Sequence, residues 1–373
     1  MPALLLLLCV QAEPPKPAKP QNEFNPTITV YGDILWRLDN KDVVEDHDGE
    51  IIDKDDKFLL REVEVEFRAA IDPYADGVLI IALEQEVPDE YEVDVEEGYA
   101  RIKSLPFGVW EEPPLGTRIK VGRFLTALGR QNRLHTHDLP QPQRGLTYET
   151  FIGEHPHIAN GVSAEAFLPL DLQATFEAAQ GGGFELGEDG ENRPVFIANL
   201  SWFATFADEH DVEITGIGLY GSNDDGGRRQ VRLYSLDVLY SWKPAQQGRS
   251  IVLAGQAFYG SGEFEEDTDD DGFIDLTGTK RAWGWFAYAQ YQVDRRLYGG
   301  LRYDWTESLD DREIETWRAT PYVSYYFSEF FRARLAYEFT DSDDEEADDL
   351  HTFLFQLTFV FGSHPPHPYW VNQ

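Results

Sequence analysis

Cysteine and methionine are almost absent from this sequence, with one of each in 373 residues. Basic residues are scarce as well, 31 against 68 acidic, which leaves a formal charge of -37. Such acidity excludes nucleic acid as a partner, because phosphate contacts need clustered Lys and Arg. Long apolar runs are also missing. The longest, Leu4 to Val10, falls far short of the roughly 20 residues a spanning helix requires, and a mean hydropathy of -0.43 excludes a helical membrane protein. Nor does the composition shift anywhere as it would at a linker.

What is present is aromatic and glycine-rich. Aromatic residues make up 14% of the chain, too many for a disordered protein, and with 31 Gly they point to one long β architecture. Leu4 to Leu8 form the apolar centre of an export signal, residues 1–12, with Val10, Gln11 and Ala12 as a small-residue cleavage site, although no Lys or Arg precedes that centre. Cys9 would leave with it, so the mature chain needs no disulfide or thiolate metal site. Residues 13–26 read as a Pro-rich leader, extended through Pro14 to Pro20.

From Thr27 to residue 362 the polarity alternates. Phe353, Phe355, Leu357, Phe359 and Phe361 share one face of a strand whose other face holds Thr352, Gln356 and Thr358. Phe331, Ala333, Leu335, Tyr337 and Phe339 oppose Arg332, Arg334 and Glu338, and Val63, Val65, Phe67 and Ala69 oppose Glu62, Glu64, Glu66 and Arg68. About sixteen such segments begin near Thr27, Phe58, Ala75, Val93, Thr117, Ile158, Leu172, Phe196, Val212, Gln230, Ser250, Lys280, Leu297, Glu313, Phe331 and Leu350. Glu97 interrupts the apolar face of the fourth. The links rotate between short ones, such as Asp72-Pro73-Tyr74 and Asp294-Arg295-Arg296, and longer ones full of Asp, Glu and Gly.

An all-β, antiparallel transmembrane barrel predicts this rotation, with short periplasmic turns, long acidic extracellular loops, an apolar outer face against lipid and a polar inner face around a wet lumen. A secreted β-sandwich or propeller would alternate too, but its turns would not sort into two length classes. Trp36, Trp110, Trp202, Trp242, Trp283, Trp285, Trp305 and Trp317, near strand ends, suit interfacial girdles.

A resemblance sharpens the expectation. VDVEEGYARIKSLPFG, IKVGRFLTALGRQNRLHTHD and LTYETFIG, between Val93 and Phe151, resemble a bacterial outer-membrane porin-like family, the zinc-regulated outer-membrane receptor-like proteins, which are distantly similar to phosphate-selective porins. The likeness extends less distinctly to the closing HTFLFQLTFVFG. It implies a sixteen-stranded barrel in the bacterial outer membrane, in contact with its lipids and lipopolysaccharide, passing small solutes or ions, and commonly a homotrimer. The chain is too short for a TonB-dependent receptor with plug and larger barrel, and its acidic loops depart from a phosphate-selective pattern.

Candidate site residues fall into three sets. Lumenal parity on the strands gives Glu62, Glu64, Glu66, Arg68, Lys120, Arg302, Asp304, Arg318, Arg332, Arg334 and Glu338 as pore lining. Residues 124–158 are too long for an ordinary loop and are expected to fold partly into the lumen, with Arg130, Arg133 and Arg144 meeting barrel carboxylates such as Glu62, Glu64 and Glu66. Metal sites form the third set. His135-Thr136-His137-Asp138 with His155-Pro156-His157 offers nitrogen and oxygen ligands for zinc, the resemblance covering His135 and His137 only. Asp267, Asp269, Asp271, the Phe273 carbonyl and Asp275 have the spacing of a calcium loop, although Gly278 stands where a bidentate Glu belongs.

No metal is required as a cofactor. Ser163 or Ser201 beside a His could serve an outer-membrane hydrolase, but no G-x-S-x-G, H-E-x-x-H or Walker pattern is present and a non-enzyme is expected. Three outer loops, Asp39 to Lys57, Glu263 to Lys280 and Asp341 to Asp349, carry a net -20, so their mouth favours cations while the inward Arg and Lys favour anions. The expectation is a general diffusion pore of mild cation preference that strengthens as salt is lowered, with a link to uptake of divalent metal such as zinc. The alternative is a plugged structural or adhesive barrel whose acidic loops bind divalent cations. Residues 363–373 form a C-terminal tail.

Overall fold

The computed structural model describes residues 26–40, 44–45, 51–52, 57–85, 91–181, 193–222, 229–245, 248–266, 276–344, 349–363 and 369–371. The export signal, the leader before residue 26 and the calcium motif Asp267 to Asp275 lie outside them.

Sixteen strands close into one antiparallel barrel. In chain order they are β1 (Thr27–Asp39), β2 (Lys57–Ala70), β3 (Ala75–Glu84), β4 (Glu92–Ile102), β5 (Arg118–Leu125), β6 (Ile158–Leu168), β7 (Leu172–Gln180) and β8 (Pro194–Phe206). The second half runs β9 (His210–Ser222), β10 (Gln230–Trp242), β11 (Ser250–Glu266), β12 (Leu276–Gln292), β13 (Leu297–Glu307), β14 (Glu315–Ser328), β15 (Phe331–Ser342) and β16 (Leu350–Gly362). Each strand begins within four residues of its expected place. Every strand pairs with its chain neighbours, and β1 closes the cylinder against β16 with Tyr31 opposite Val360 and Trp36 opposite Phe355. Closure leaves no edge strand whose N–H and C=O groups would face lipid unpaired.

Alternation decides which face points where. On β15, Leu335 is 57% exposed between Arg334 at 1% and Ala336 at 4%. Facing water, that order would be inside out; facing acyl chains, it is the favourable arrangement. Aromatic rings border the apolar zone. Toward the long-loop ends Trp285, Tyr303, Trp317 and Phe339 form a row across β12 to β15, with successive ring centroids 5.5, 5.8 and 5.2 Å apart. Toward the short-turn ends Tyr325, Phe327 and Phe331 do the same at 5.2 and 4.9 Å. Short turns close by Asx geometry: Asp72 Oδ1 accepts from the Tyr74 and Ala75 amides at 2.7 and 2.9 Å, and Asp294 repeats this with Arg296 and Leu297.

Glu97 interrupts the pattern of β4 because the strand carries a bulge there. Ile80 pairs with Glu97 and Ile81 with Val95, so Glu96 has no partner across the ladder. One extra residue turns two successive carboxylates, Glu96 and Glu97, into the lumen.

The lumen is not an open tube. The segment from Phe124 to His157 folds inside it as two short 3-10 turns, Gln131–Arg133 and Thr136–Asp138, and the helix α1 (Leu146–Ile152). Its Leu128, Tyr148, Phe151 and Ile152 pack with Phe258 and Phe286 of the inner wall in one buried apolar cluster. The wall makes room for α1 at Gly284, where a Cβ would lie 2.7 Å from the Phe151 ring. Tyr369 and Trp370 of the C-terminal tail join the same cluster, and Trp370 is fully buried among Tyr298, Tyr326 and Arg332.

Replacing Leu335, on the outward face, by Arg is expected to destabilise the barrel by about 2–4 kcal/mol, as for a charge on the lipid face near mid-bilayer. Urea titration of protein folded in lipid vesicles measures it; an unchanged midpoint would mean that this face does not meet lipid.

Candidate functional site

An irregular segment inside a barrel has backbone groups that no ladder satisfies, and each would cost free energy if buried alone. The wall supplies the partners, and their sign follows the group they meet. Carbonyls of the segment receive arginines. Arg332 donates to the His137 carbonyl, Arg334 to those of Leu139 and Gln141, and Arg302 to that of Gln143 at 2.8 Å. Amides receive carboxylates: Glu177 accepts from Ala127 N at 2.8 Å and Asp237 from Arg130 N at 2.8 Å. Helix α1 is fixed by Thr147, whose hydroxyl donates to the Trp285 and Trp305 carbonyls at 3.0 and 3.1 Å, and by Glu149, which pairs with Arg318 at 3.1 Å. Behind these contacts Arg302 also meets Asp304 at 2.8 Å and Glu338 at 3.2 Å, and Glu338 accepts from Gln143 Nε2 at 2.7 Å.

Within the segment, Asn132 is the node. Its amide donates to the Thr126 and His157 carbonyls at 2.8 and 3.1 Å, while its Oδ1 accepts from His157 N at 2.7 Å and from the Tyr148 hydroxyl. Burial pushes the Tyr148 hydroxyl up to about 12, so it stays protonated and donates. The two ends of the segment are thereby tied together. Nothing in the sequence singled out Asn132, since an Asn in an irregular stretch gives no sign of what it binds.

The lumenal candidates are therefore placed as follows. Arg302, Arg318, Arg332, Arg334, Asp304 and Glu338 face inward and hold the segment. Glu66 pairs with Arg68 at 2.5 Å along β2, and Lys120 lies over the Tyr99 and Phe124 rings at 4.9 and 5.6 Å. The expected partners of the segment's own arginines need correction. Arg130 meets Glu213 at 2.9 Å and Asp237 at 3.6 Å on β9 and β10, because the chain crosses to that wall on leaving β5. Arg133 lines a cavity of about 150 Å³ with Arg130, Glu213 and Asp237. Arg144 turns back on its own segment, donating to Thr136 Oγ1 at 3.0 Å and to the Leu134 carbonyl at 2.6 Å. None of the three meets Glu62, Glu64 or Glu66 in a described contact.

Those carboxylates meet histidines instead. His135 Nδ1 lies 3.3 Å from Glu64 Oε1 and 3.2 Å from Glu96 Oε2, and its Nε2 hydrogen-bonds Glu97 Oε1 at 3.2 Å. His137 Nδ1 lies 3.1 Å from Glu64 Oε1, and its ring stacks on Tyr31 at 4.0 Å. Burial disfavours both imidazolium ions, yet the carboxylates, Glu64 foremost, outweigh it and hold both pKa values above the ordinary histidine range.

The four-histidine zinc set is not brought together. His157 Nδ1 bonds Thr126 Oγ1 at 2.9 Å, His155 lines a separate cavity, and the Asp138 carboxylate lies on the far side of the His137 ring, 3.7 Å from Nε2. Of the two serines, Ser163 donates to Glu177 Oε1 at 3.0 Å and Ser201 to Asn199 Oδ1 at 3.1 Å.

Between the segment and β1 and β2 a cavity of about 260 Å³ remains, lined by Arg37, Arg61, Glu62, Arg144, Glu149 and Arg318 among others.

No family model matches the chain. An uncharacterized protein of Aquifex aeolicus (strain VF5) is 25% identical, the match covering 84% of this chain and 70% of that protein. Among solved structures, the anion-selective porin of Comamonas acidovorans superposes over 90% of this chain and 100% of its own, with a TM-score of 0.57 at 10% identity. The outer-membrane channel DcaP of Acinetobacter baumannii gives 0.57 at 12% identity over 90% and 98%. A trimer form of Vibrio cholerae OmpT gives 0.52 at 13% identity over 90% and 100%. The fold is that of an outer-membrane porin. With its apolar outer band and two aromatic girdles, this porin-like barrel sits in a bacterial outer membrane.

Replacing Asn132 by Ala leaves the buried His157 amide and Tyr148 hydroxyl without that partner, at about 1–3 kcal/mol each, while the Thr126 and His157 carbonyls keep the Leu128 and Thr126 amides. The barrel is expected to stay closed while amides of residues 126–157 exchange at least about tenfold faster, the equivalent of ~1.4 kcal/mol. Hydrogen exchange in detergent reads this, and unchanged protection would show that Asn132 is not the node.

Proposed function

We propose that the protein is a non-enzymatic channel for passive diffusion of small solutes or ions, with a mild cation preference. The observation that carries this reading is the remaining cavity of about 260 Å³ beside an inward segment in an otherwise closed porin-type barrel. Cation preference rests on two features. The acidic outer loops concentrate cations, divalent ones included, at the mouth. Meanwhile Arg302, Arg332 and Arg334, which could have formed an anion path, are buried and engaged with carbonyls of the segment. The anion-selective Comamonas porin shares the fold at only 10% identity, so its selectivity does not carry over. We further propose a homotrimer, as in the OmpT trimer form, embedded in outer-membrane lipid with lipopolysaccharide around the acidic loops.

One observation favours a second reading, a plugged barrel with a structural or adhesive role. Trp370 is fully buried, its Nε1 donating to the Asp138 carbonyl at 3.0 Å, so that tail and segment meet inside the lumen.

Planar bilayers separate the readings. Discrete current steps are expected, with reversal potentials across KCl gradients that indicate cation preference and shift further toward cations as mean salt falls. Anion preference at both concentrations would overturn the selectivity. Deleting Gln131 to Gln143, or replacing Trp370 by Ala, is expected to raise single-channel conductance. Silence of the native protein with steps from either variant supports the plug, and lipid hydrolysis would bring back an enzyme.

A further inference from the structure

Three buried atoms in the lumen converge without a hydrogen-bond partner: Glu64 Oε1, Glu96 Oε2 and His135 Nδ1. They belong to three separate pieces of chain, strand β2, the bulge of β4 and the inward segment. The imidazole nitrogen is 3.3 and 3.2 Å from the two oxygens, within ion-pair reach but outside hydrogen-bond geometry, and the three residues offer ligand atoms within 4.8 Å of one another. Their residues are 1, 6 and 9% exposed.

Two buried carboxylates turned to one imidazole nitrogen need positive charge between them, supplied either by a proton on His135 or by a metal ion that displaces it. Ligand atoms about 3.3–3.5 Å apart are the edges of a tetrahedron whose centre stands roughly 2.0–2.2 Å from each, the bond length of zinc to nitrogen and carboxylate oxygen. A divalent ion held by metal-ligating histidine also wants the other ring nitrogen hydrogen-bonded, preferably to a carboxylate. Glu97 supplies that bond, accepting from His135 Nε2 at 3.2 Å. The bulge is what allows it, because without the unpaired residue Glu96 and Glu97 would face opposite sides of β4.

We propose that Glu64, Glu96 and His135 form a binding site for a divalent transition-metal ion of the zinc class, with Glu97 orienting His135 and a fourth position left for water or solute. Glu62 and His137 lie beside it, forming with Glu64 a second triad within 4.8 Å that shares the Glu64 carboxylate. One imidazole with two carboxylates suits zinc, manganese or iron(II) over calcium or magnesium, whose ligands are oxygens alone. The ion would clamp the inward segment to β2 and β4. Its effect on current rests on the channel reading above; its binding does not.

Purified barrel, stripped with chelator and titrated with Zn²⁺ by calorimetry, is expected to bind zinc in preference to Mg²⁺ and to unfold at higher temperature when loaded. Glu96→Gln and His135→Ala are each expected to weaken zinc at least tenfold, Glu97→Gln by about 10–100-fold, and His210→Ala not at all. Should His135→Ala fail to fold, anomalous diffraction from zinc-soaked crystals of the native protein decides, with a peak between the three ligands supporting the site. Zinc affinity unchanged in Glu96→Gln, no binding tighter than millimolar, or a peak only at the acidic loops overturns it. A barrel that binds zinc but passes no current refutes the channel and leaves the site; one that conducts without binding does the reverse.

Discussion

The lumen of this barrel depends on one constraint: backbone that is neither helix nor strand has been placed where water is scarce, and its donors and acceptors must be met from the wall. Guanidinium groups on β13 and β15 meet carbonyls, and carboxylates on β7 and β10 meet amides. Charge-assisted bonds of this kind are about twice as strong as neutral ones. Arginines of β13 and β15 thus serve carbonyls in the later half of the segment, while carboxylates of β7 and β10 serve amides at its start. The ionic character of the lining is as much a consequence of holding the segment as of conducting anything.

That division explains why the fold was legible from the chain and the site only in part. Alternation such as Phe353 to Phe361 against Thr352 to Thr358 is a local property, and a period of two marks inside and outside without knowledge of any partner. Link lengths then fixed the sidedness. The partners of Arg130 and Arg144 were not legible, because an arginine in a sequence does not say whether a carboxylate or a carbonyl will face it. Arg332 and Arg334 lie on the inward parity of their strand, but their engagement with carbonyls 195 residues away along the chain has no local signature.

Glu97 shows the same limit from the other side. As an interruption of the apolar face of β4 it looked like a weak strand. The register shift between Ile80 and Ile81 makes it a strand with one residue too many, and the break in alternation is the trace of the bulge. A paired acidic dipeptide within an alternating strand is thus a usable sign that both side chains point inward. The burial of Trp370 had no such trace, since a Pro-rich tail after the last strand carries no period to read.

Separation along the chain sets an order of assembly. The segment lies in the first half of the sequence, but the groups that fix it come much later: Arg302 is 159 residues beyond Gln143, Arg332 is 195 beyond His137, and Trp370 is 232 beyond Asp138. Contacts this distant form late, after their loop-closure entropy has been met by strand pairing. During synthesis and export the segment must therefore travel without its partners, and the barrel's interior is furnished only as β13 to β16 arrive and the C-terminal tail follows them in.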